Sequence, residues 1–208
     1  MEDVLAVYTR PYDPLRPQVC LDETSRQLLG EVTPSLPPAP GRPAREDYED
    51  VRQGVCNVFL VCEPLAGWRH VTGSQRRTRI DWARCVKDLV DVHYPDAERI
   101  VLVQDNPEHP HPASLYAAFP PAEARRLADR LELHYTPKHG SWLNMAEVEL
   151  AVLAGQCLDR RLADQASLER EVAAWQAARN GAGRGVNWRF TTEDARIKLK
   201  HLYPTIQG

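Results

Sequence analysis

Residues 99–105 read Arg-Ile-Val-Leu-Val-Gln-Asp, an apolar run closed by an amide and a carboxylate. An unalternating run of this kind is the signature of a strand buried on both faces. Before it, Ile80, Ala83, Val86, Leu89 or Val90 and His93 recur at helical spacing until Pro95 stops the pattern. After it, residues 112–119 and 122–131 read as short helices around Pro120 and Pro121, and residues 131–136 as a further strand. A buried strand reached and left through helices predicts a sheet with helices packed on both faces.

Upstream the pattern is that of a meander. Pro17–Asp22 is short, apolar and β-branched, and Arg26–Val32 follows closely enough to suggest a tight hairpin between them. Val55–Cys62 is strongly apolar, and Gly67–Thr72 reads as its hairpin partner. Downstream, residues 142–158 and 164–180 are long helical patterns. A last helix starts at Thr191-Thr192-Glu193-Asp194, which fits a capping box, and runs to Leu202. The predicted order, β-β-β-β-α-β-α-β-α-α-α, describes an α/β fold built on a mixed sheet.

The chain has 208 residues, 43% of them apolar, and a net charge of −3, with mean hydropathy −0.48. This balance predicts one globular domain and excludes a disordered chain. No apolar stretch reaches the roughly 18 residues of a membrane span, and the acidic Glu2 and Asp3 open the chain where a signal peptide would be basic and then apolar. A cytoplasmic protein is expected, without a membrane partner. Cys20, Cys56, Cys62, Cys85 and Cys157 form no C-x-x-C pair and are read as buried thiols rather than zinc ligands or disulfides. Prolines concentrate in residues 10–17, an extended lead-in, and in 34–43, an exposed loop between strands. From residue 158 onward nine Lys/Arg stand against six Asp/Glu, so the C-terminal third is the better candidate for contact with a polyanion, although a solvated helix surface reads the same way.

Two acids close buried strands, Asp22 after Val19-Cys20-Leu21 and Asp105 after the run quoted above. Each alone reads as a strand-end turn residue. Functional groups gather beyond the carboxyl ends of parallel strands, however, and two carboxylates meeting there would be relieved by a divalent cation with a taste for oxygen, Mg²⁺ or Mn²⁺. Glu147 and Glu149 follow in Ser141–Leu150 (SWLNMAEVEL) near a helix start, where Asn144-Met145-Ala146-Glu147 equally fits an N-terminal cap.

Taken together, VCLDE, VLVQDN and HYTPKHGSWLNMAEVE resemble the catalytic core of bacterial insertion-sequence transposases of the mariner superfamily, with FLVCEPLAGWRHV, KDLVDVHYP and FTTEDARIKLKHLYP extending the likeness over nearly the whole chain. The resemblance implies a ribonuclease H-like fold with a five-stranded mixed sheet. It further implies an N-terminal connector over residues 1–16 and a DDE catalytic domain over 17–208, with C-terminal helices in 164–202. It carries the catalytic, metal-holding triad onto Asp22, Asp105 and Glu147, with 41 residues between the last two and Glu149 in reserve. Two Mg²⁺ or Mn²⁺ ions, double-stranded DNA as transposon end and target, and a homodimer are implied with it, as is location at the bacterial nucleoid.

Asn106, His109, Lys138 and His139 are the expected DNA contacts, although a packed or solvated loop explains the histidines and the lysine as well. Pro107 and Glu108 depart from the family pattern, stiffening the loop and adding negative charge. Relatives carry an N-terminal helix-turn-helix region that this sequence does not show, so a separate polypeptide supplying it is a further expected partner. The rival readings are a decayed transposase that only binds DNA or protein, and a ribonuclease H-like nuclease acting on hybrids.

Overall fold

The computed structural model describes residues 1–32, 39–42, 49–105, 112–138, 140–186 and 188–203. Helix α1 (Glu2–Tyr8) precedes strand β1 (Gln18–Glu31), followed by β2 (Asp50–Glu63), β3 (Trp68–Ser74) and helix α2 (Arg79–Asp88). Then come β4 (Ile100–Gln104), α3 (Ala113–Ala118), α4 (Pro121–Asp129), β5 (Leu131–Tyr135), α5 (Met145–Leu153), α6 (Gln165–Ala182) and α7 (Thr192–Lys198). The strands form one sheet in the order β3-β2-β1-β4-β5. The meander β1-β2-β3 is antiparallel, while β4 and β5 run parallel to β1.

All five residues of β4 are buried, as its unalternating sequence requires, and each face of the sheet has its own core. Val19, Leu21, Phe59, Val61 and Leu102 meet α2 and α4 through Trp82, Val86 and Leu127. Cys20, Val58, Leu60 and Val103 meet α5 and α6 through Ala146, Leu150 and Val172 on the other face. The alternation of neighbours between the two clusters is the two-residue period of a strand, so odd and even positions near residue 22 face different helices.

Two expectations change. The predicted hairpin between Pro17–Asp22 and Arg26–Val32 is one continuous strand: Glu23, Thr24 and Ser25 pair in register with Phe59, Val58 and Asn57. The polar triplet resembles a turn but contains neither glycine nor proline, and the ladder to β2 satisfies its backbone. The irregularity comes later, between Gln27 and Leu29, where Gly54 takes φ 112° and two β2 residues oppose one of β1 as in a bulge. Residues 2–8, within the expected N-terminal connector, form a helix whose Val4, Leu5, Val7 and Tyr8 are buried. Of the thiols, Cys85 is half-buried and the other four are buried. The Pro-rich loop of 34–43 lies mostly outside the described residues.

The helix ends follow their local chemistry. Thr78 and Thr191 cap α2 and α7 in reciprocal boxes with Asp81 and Asp194, the second as predicted. Asp164 caps α6, which ends at Gly183 in the left-handed region.

Candidate active site

The parallel register between β1 and β4 pairs Leu21 with Gln104 at its last step. The next residue along each is an aspartate, so Asp22 and Asp105 stand where the parallel pairing ends: Asp105 follows the end of β4 as expected, whereas Asp22 does not close a strand but lies within β1, which runs on to Glu31 against β2. Both belong to the α5 side of the sheet, because Leu21 packs in the opposite core and Gln104 accepts a bond from Trp82 Nε1 at 3.0 Å in α2.

Burial pushes the Asp22 carboxyl up to about 7, and the neighbouring charges of Asp105, Glu23 and Glu147 push the same way, against a backbone bond from Glu23. That bond is 2.8 Å from the Glu23 N–H to Asp22 Oδ1. An isolated strand-end cap would have no reason to carry this load of like charge. Asp105 is oriented by two donors on Oδ1: the Thr136 hydroxyl at 2.9 Å and the Asn144 amide at 3.4 Å.

Asn144 is the residue that assembles the site. Its side chain is buried, and its Nδ2 donates also to Leu21 O at 3.1 Å, while its Oδ1 caps α5 by accepting from the Ala146 N–H at 3.1 Å. One amide therefore ties β1, β4 and the start of α5 together. The cap is made without the Glu147 carboxylate: the Glu147 backbone N–H donates to Asn144 O at 3.0 Å, and the exposed side chain stands in the first turn of α5. Glu149 faces the other way. It is buried and clamped between Arg69 of β3 at 2.9 Å and Arg179 of α6 at 2.7 Å.

Of the expected DNA contacts, Lys138 is exposed beyond β5, while Asn106, His109 and His139 lie outside the described residues, as do Pro107 and Glu108. Glu23, Thr136 and Asn144 are site residues that the sequence reading passed over as such. Glu23 is half-buried beside Arg77, 3.8 Å away, and burial raises its carboxyl, with Asp105 adding to the rise and Arg77 opposing it. A cleft of about 240 Å³ lined by His70, Cys85, Asp88 and His93 lies on the α2 face and includes none of the triad.

Among the described residues no group of three or more His, Cys, Asp or Glu is arranged to hold a metal ion as it stands. In kind, the donors fit: Asp22 and Asp105 are hard oxygen donors where the pairing of β1 with β4 ends, and the raised carboxyl of Asp22 marks a place where positive charge is wanted. Glu147 is the third carboxylate whose charge is felt at Asp22.

The family model described as DDE superfamily endonuclease matches residues 17–169. Similar solved structures include a Mos1 mariner paired-end complex with Mn, at TM-score 0.53 and 15% identity over 86% of this chain and 54% of that one. A Mos1 strand transfer complex matches at TM-score 0.53 and 15% identity over 84% and 51%. The Mos1 transposase paired-end complex with a left transposon end does so at 0.53 and 15% over 87% and 55%. The chain thus spans about half the length of these proteins, and at this identity the likeness shows the fold, a ribonuclease H-like sheet. No curated protein matches it.

Proposed function

The chain belongs to the DDE superfamily endonucleases, and from that premise we propose that it is the catalytic domain of a DNA transposase that cuts phosphodiesters at transposon ends and joins them to target DNA. The observation that carries the reading is the position of Asp22 and Asp105, each one residue past Leu21 and Gln104, the last register pair between the parallel β1 and β4. In this proposal Asp22, Asp105 and Glu147 would hold two Mg²⁺ or Mn²⁺ ions. Bound there, the ions would supply an activated attacking oxygen and neutralise the leaving one in an in-line displacement.

The chain's own residues prepare that chemistry. Thr136 and Asn144 fix Asp105 through Oδ1, which leaves Oδ2 as its donor atom among the described contacts. Burial and like charge make an unpaired Asp22 anion costly, so a cation is favoured over water at this point. Asn144 sets the origin of α5 on both strands and so holds the turn that carries Glu147 at the site. Glu147 and Lys138 are exposed and in this proposal would meet incoming substrate, the lysine as a phosphate contact. The same site serves two steps: water attacks first to nick the end, and the freed 3′-hydroxyl then attacks target DNA, with no covalent intermediate on the protein. The Mos1 complexes contain transposon ends, which supports DNA as the partner. The proposal extends to a homodimer that joins two ends and to a bacterial insertion-sequence origin.

The test is cleavage of supercoiled DNA, a hairpin and an RNA–DNA hybrid by the chain with Mg²⁺ or Mn²⁺, alongside Asp22→Asn, Asp105→Ala and Glu147→Gln. DNA cleavage lost in all three folded variants is expected, together with loss of calorimetric Mn²⁺ binding in Asp105→Ala. Full cleavage by Asp105→Ala, or cleavage of the hybrid alone, would overturn the assignment.

A further inference from the structure

The short connection from β3 to α2 reads Gln75-Arg76-Arg77-Thr78-Arg79, and every residue of it is exposed. Antiparallel pairing sets Ser25, Asn57 and Ser74 level with one another, so this loop leaves the sheet at the end where Asp22 and Asp105 stand. Arg77 reaches back to within 3.8 Å of Glu23, the neighbour of Asp22. Arg76 and Arg79 make no ion pair among the described residues. Arg79 is moreover the first residue of α2, where the positive end of the helix dipole disfavours a cation. No ion pair among the described residues offsets that placement.

At this end of the sheet positive charge therefore flanks negative on both sides. Arginines lie beyond β3, Asp22 within β1 and Asp105 just past β4, and Lys138 beyond β5. With strands about 4.8 Å apart the row spans roughly 19 Å, the reach of a few nucleotides of one strand. We propose that Arg76, Arg77 and Arg79 form a second anchor for the DNA phosphate backbone, opposite Lys138, which lays the cut strand across the two aspartates. The loop makes no base contact in this role, so its contribution is independent of DNA sequence. The inference rests on the reading of the site as one that acts on DNA.

Backbone contacts are counted by salt. Binding of a labelled duplex of about 30 base pairs and arbitrary sequence is measured by anisotropy in EDTA, between about 50 and 200 mM salt. The full chain is compared with Arg76→Gln/Arg79→Gln and with Arg16→Gln/Arg99→Gln, a control that removes the same charge at the other end of the sheet, ahead of β1 and β4. The loop variant is expected to lose about 2 from the slope of log affinity against log salt, near 0.9 for each contact. At the lowest salt it should bind roughly ten-fold more weakly, while the control stays within about two-fold. All of these substitutions are on exposed side chains, so equal melting temperatures will report an intact fold. A loop variant with the parent's slope, or a control that loses as much, overturns the anchor alone. Absence of salt-dependent binding by the parent overturns the DNA reading and the anchor with it.

Discussion

At the scale of single residues, Asp22 and Asn144 bear the cost of the site. With its carboxyl raised to about 7, Asp22 keeps a proton in the folded state that the unfolded chain gives up near its ordinary value of about 3.9. The folded form binds more protons between those values, so this group takes stability away as pH rises through the window and no further above it. Asp22→Asn is therefore expected to stabilise the metal-free protein, by on the order of 1–2 kcal/mol more at about pH 8 than at about pH 5. Urea midpoints in EDTA measure the difference, and an equal gain at both pH values would show that Asp22 is not desolvated. Asn144→Ala removes a helix cap and leaves Leu21 O unpaired in the core. A loss of about 2–3 kcal/mol is expected in the same measurement. The two aspartates were legible in the sequence because each ends an apolar run. The bond of Asn144 to Leu21 was not, since only the fold brings together residues 123 positions apart.

At the scale of elements, α5 presents two glutamates to opposite sides, and this separates the carboxylate proposed as a metal ligand, Glu147, from a structural one, Glu149. Sequence spacing left Glu147 and Glu149 as alternatives, because both sit near a helix start. The clamp on Glu149 comes from β3 and α6, elements far from it in the chain. Glu149→Gln would leave the buried Arg69 guanidinium facing a neutral partner, and breaking such a pair costs about 3 kcal/mol or more. Glu147→Gln, on an exposed side chain, should change stability by no more than about 0.5 kcal/mol. Thermal melts and cleavage assays read together are expected to give opposite profiles: Glu147→Gln melts normally and does not cut, whereas Glu149→Gln melts early. A normal melt for Glu149→Gln would remove the structural role. The misread hairpin in β1 has the same origin, since the turn-like Glu23-Thr24-Ser25 is held extended by a partner strand whose register local composition does not specify.

At the scale of the whole molecule, the two ends of the described chain converge behind the carboxylates. Arg196 of α7 bonds Glu2 of α1 with both contacts at 2.8 Å, and Tyr8 packs against Trp188 with ring centroids 5.0 Å apart. Asp3 of α1 meets His134 of β5 at 2.7 Å. The Tyr8 hydroxyl donates to Leu143 O at 2.6 Å, one residue before Asn144, so α1 supports the turn from which the site is assembled. Its burial was readable in the spacing of Val4, Leu5, Val7 and Tyr8, but a helix of seven residues has no stability of its own to announce it. Deleting residues 1–8 uncovers the core side chains that α1 leaves behind and gives up the burial of Val4, Leu5 and Val7, each worth about 1.5–3 kcal/mol. It also frees Leu143 and the origin of α5. Both effects predict a truncated chain that is several kcal/mol less stable and that binds Mn²⁺ more weakly than the parent even where it remains folded. Urea unfolding and calorimetric Mn²⁺ titration measure the two separately. Lost stability with full Mn²⁺ affinity would mean that α1 only closes the core, whereas loss of both would make the N-terminal helix part of the scaffold that holds the carboxylates together.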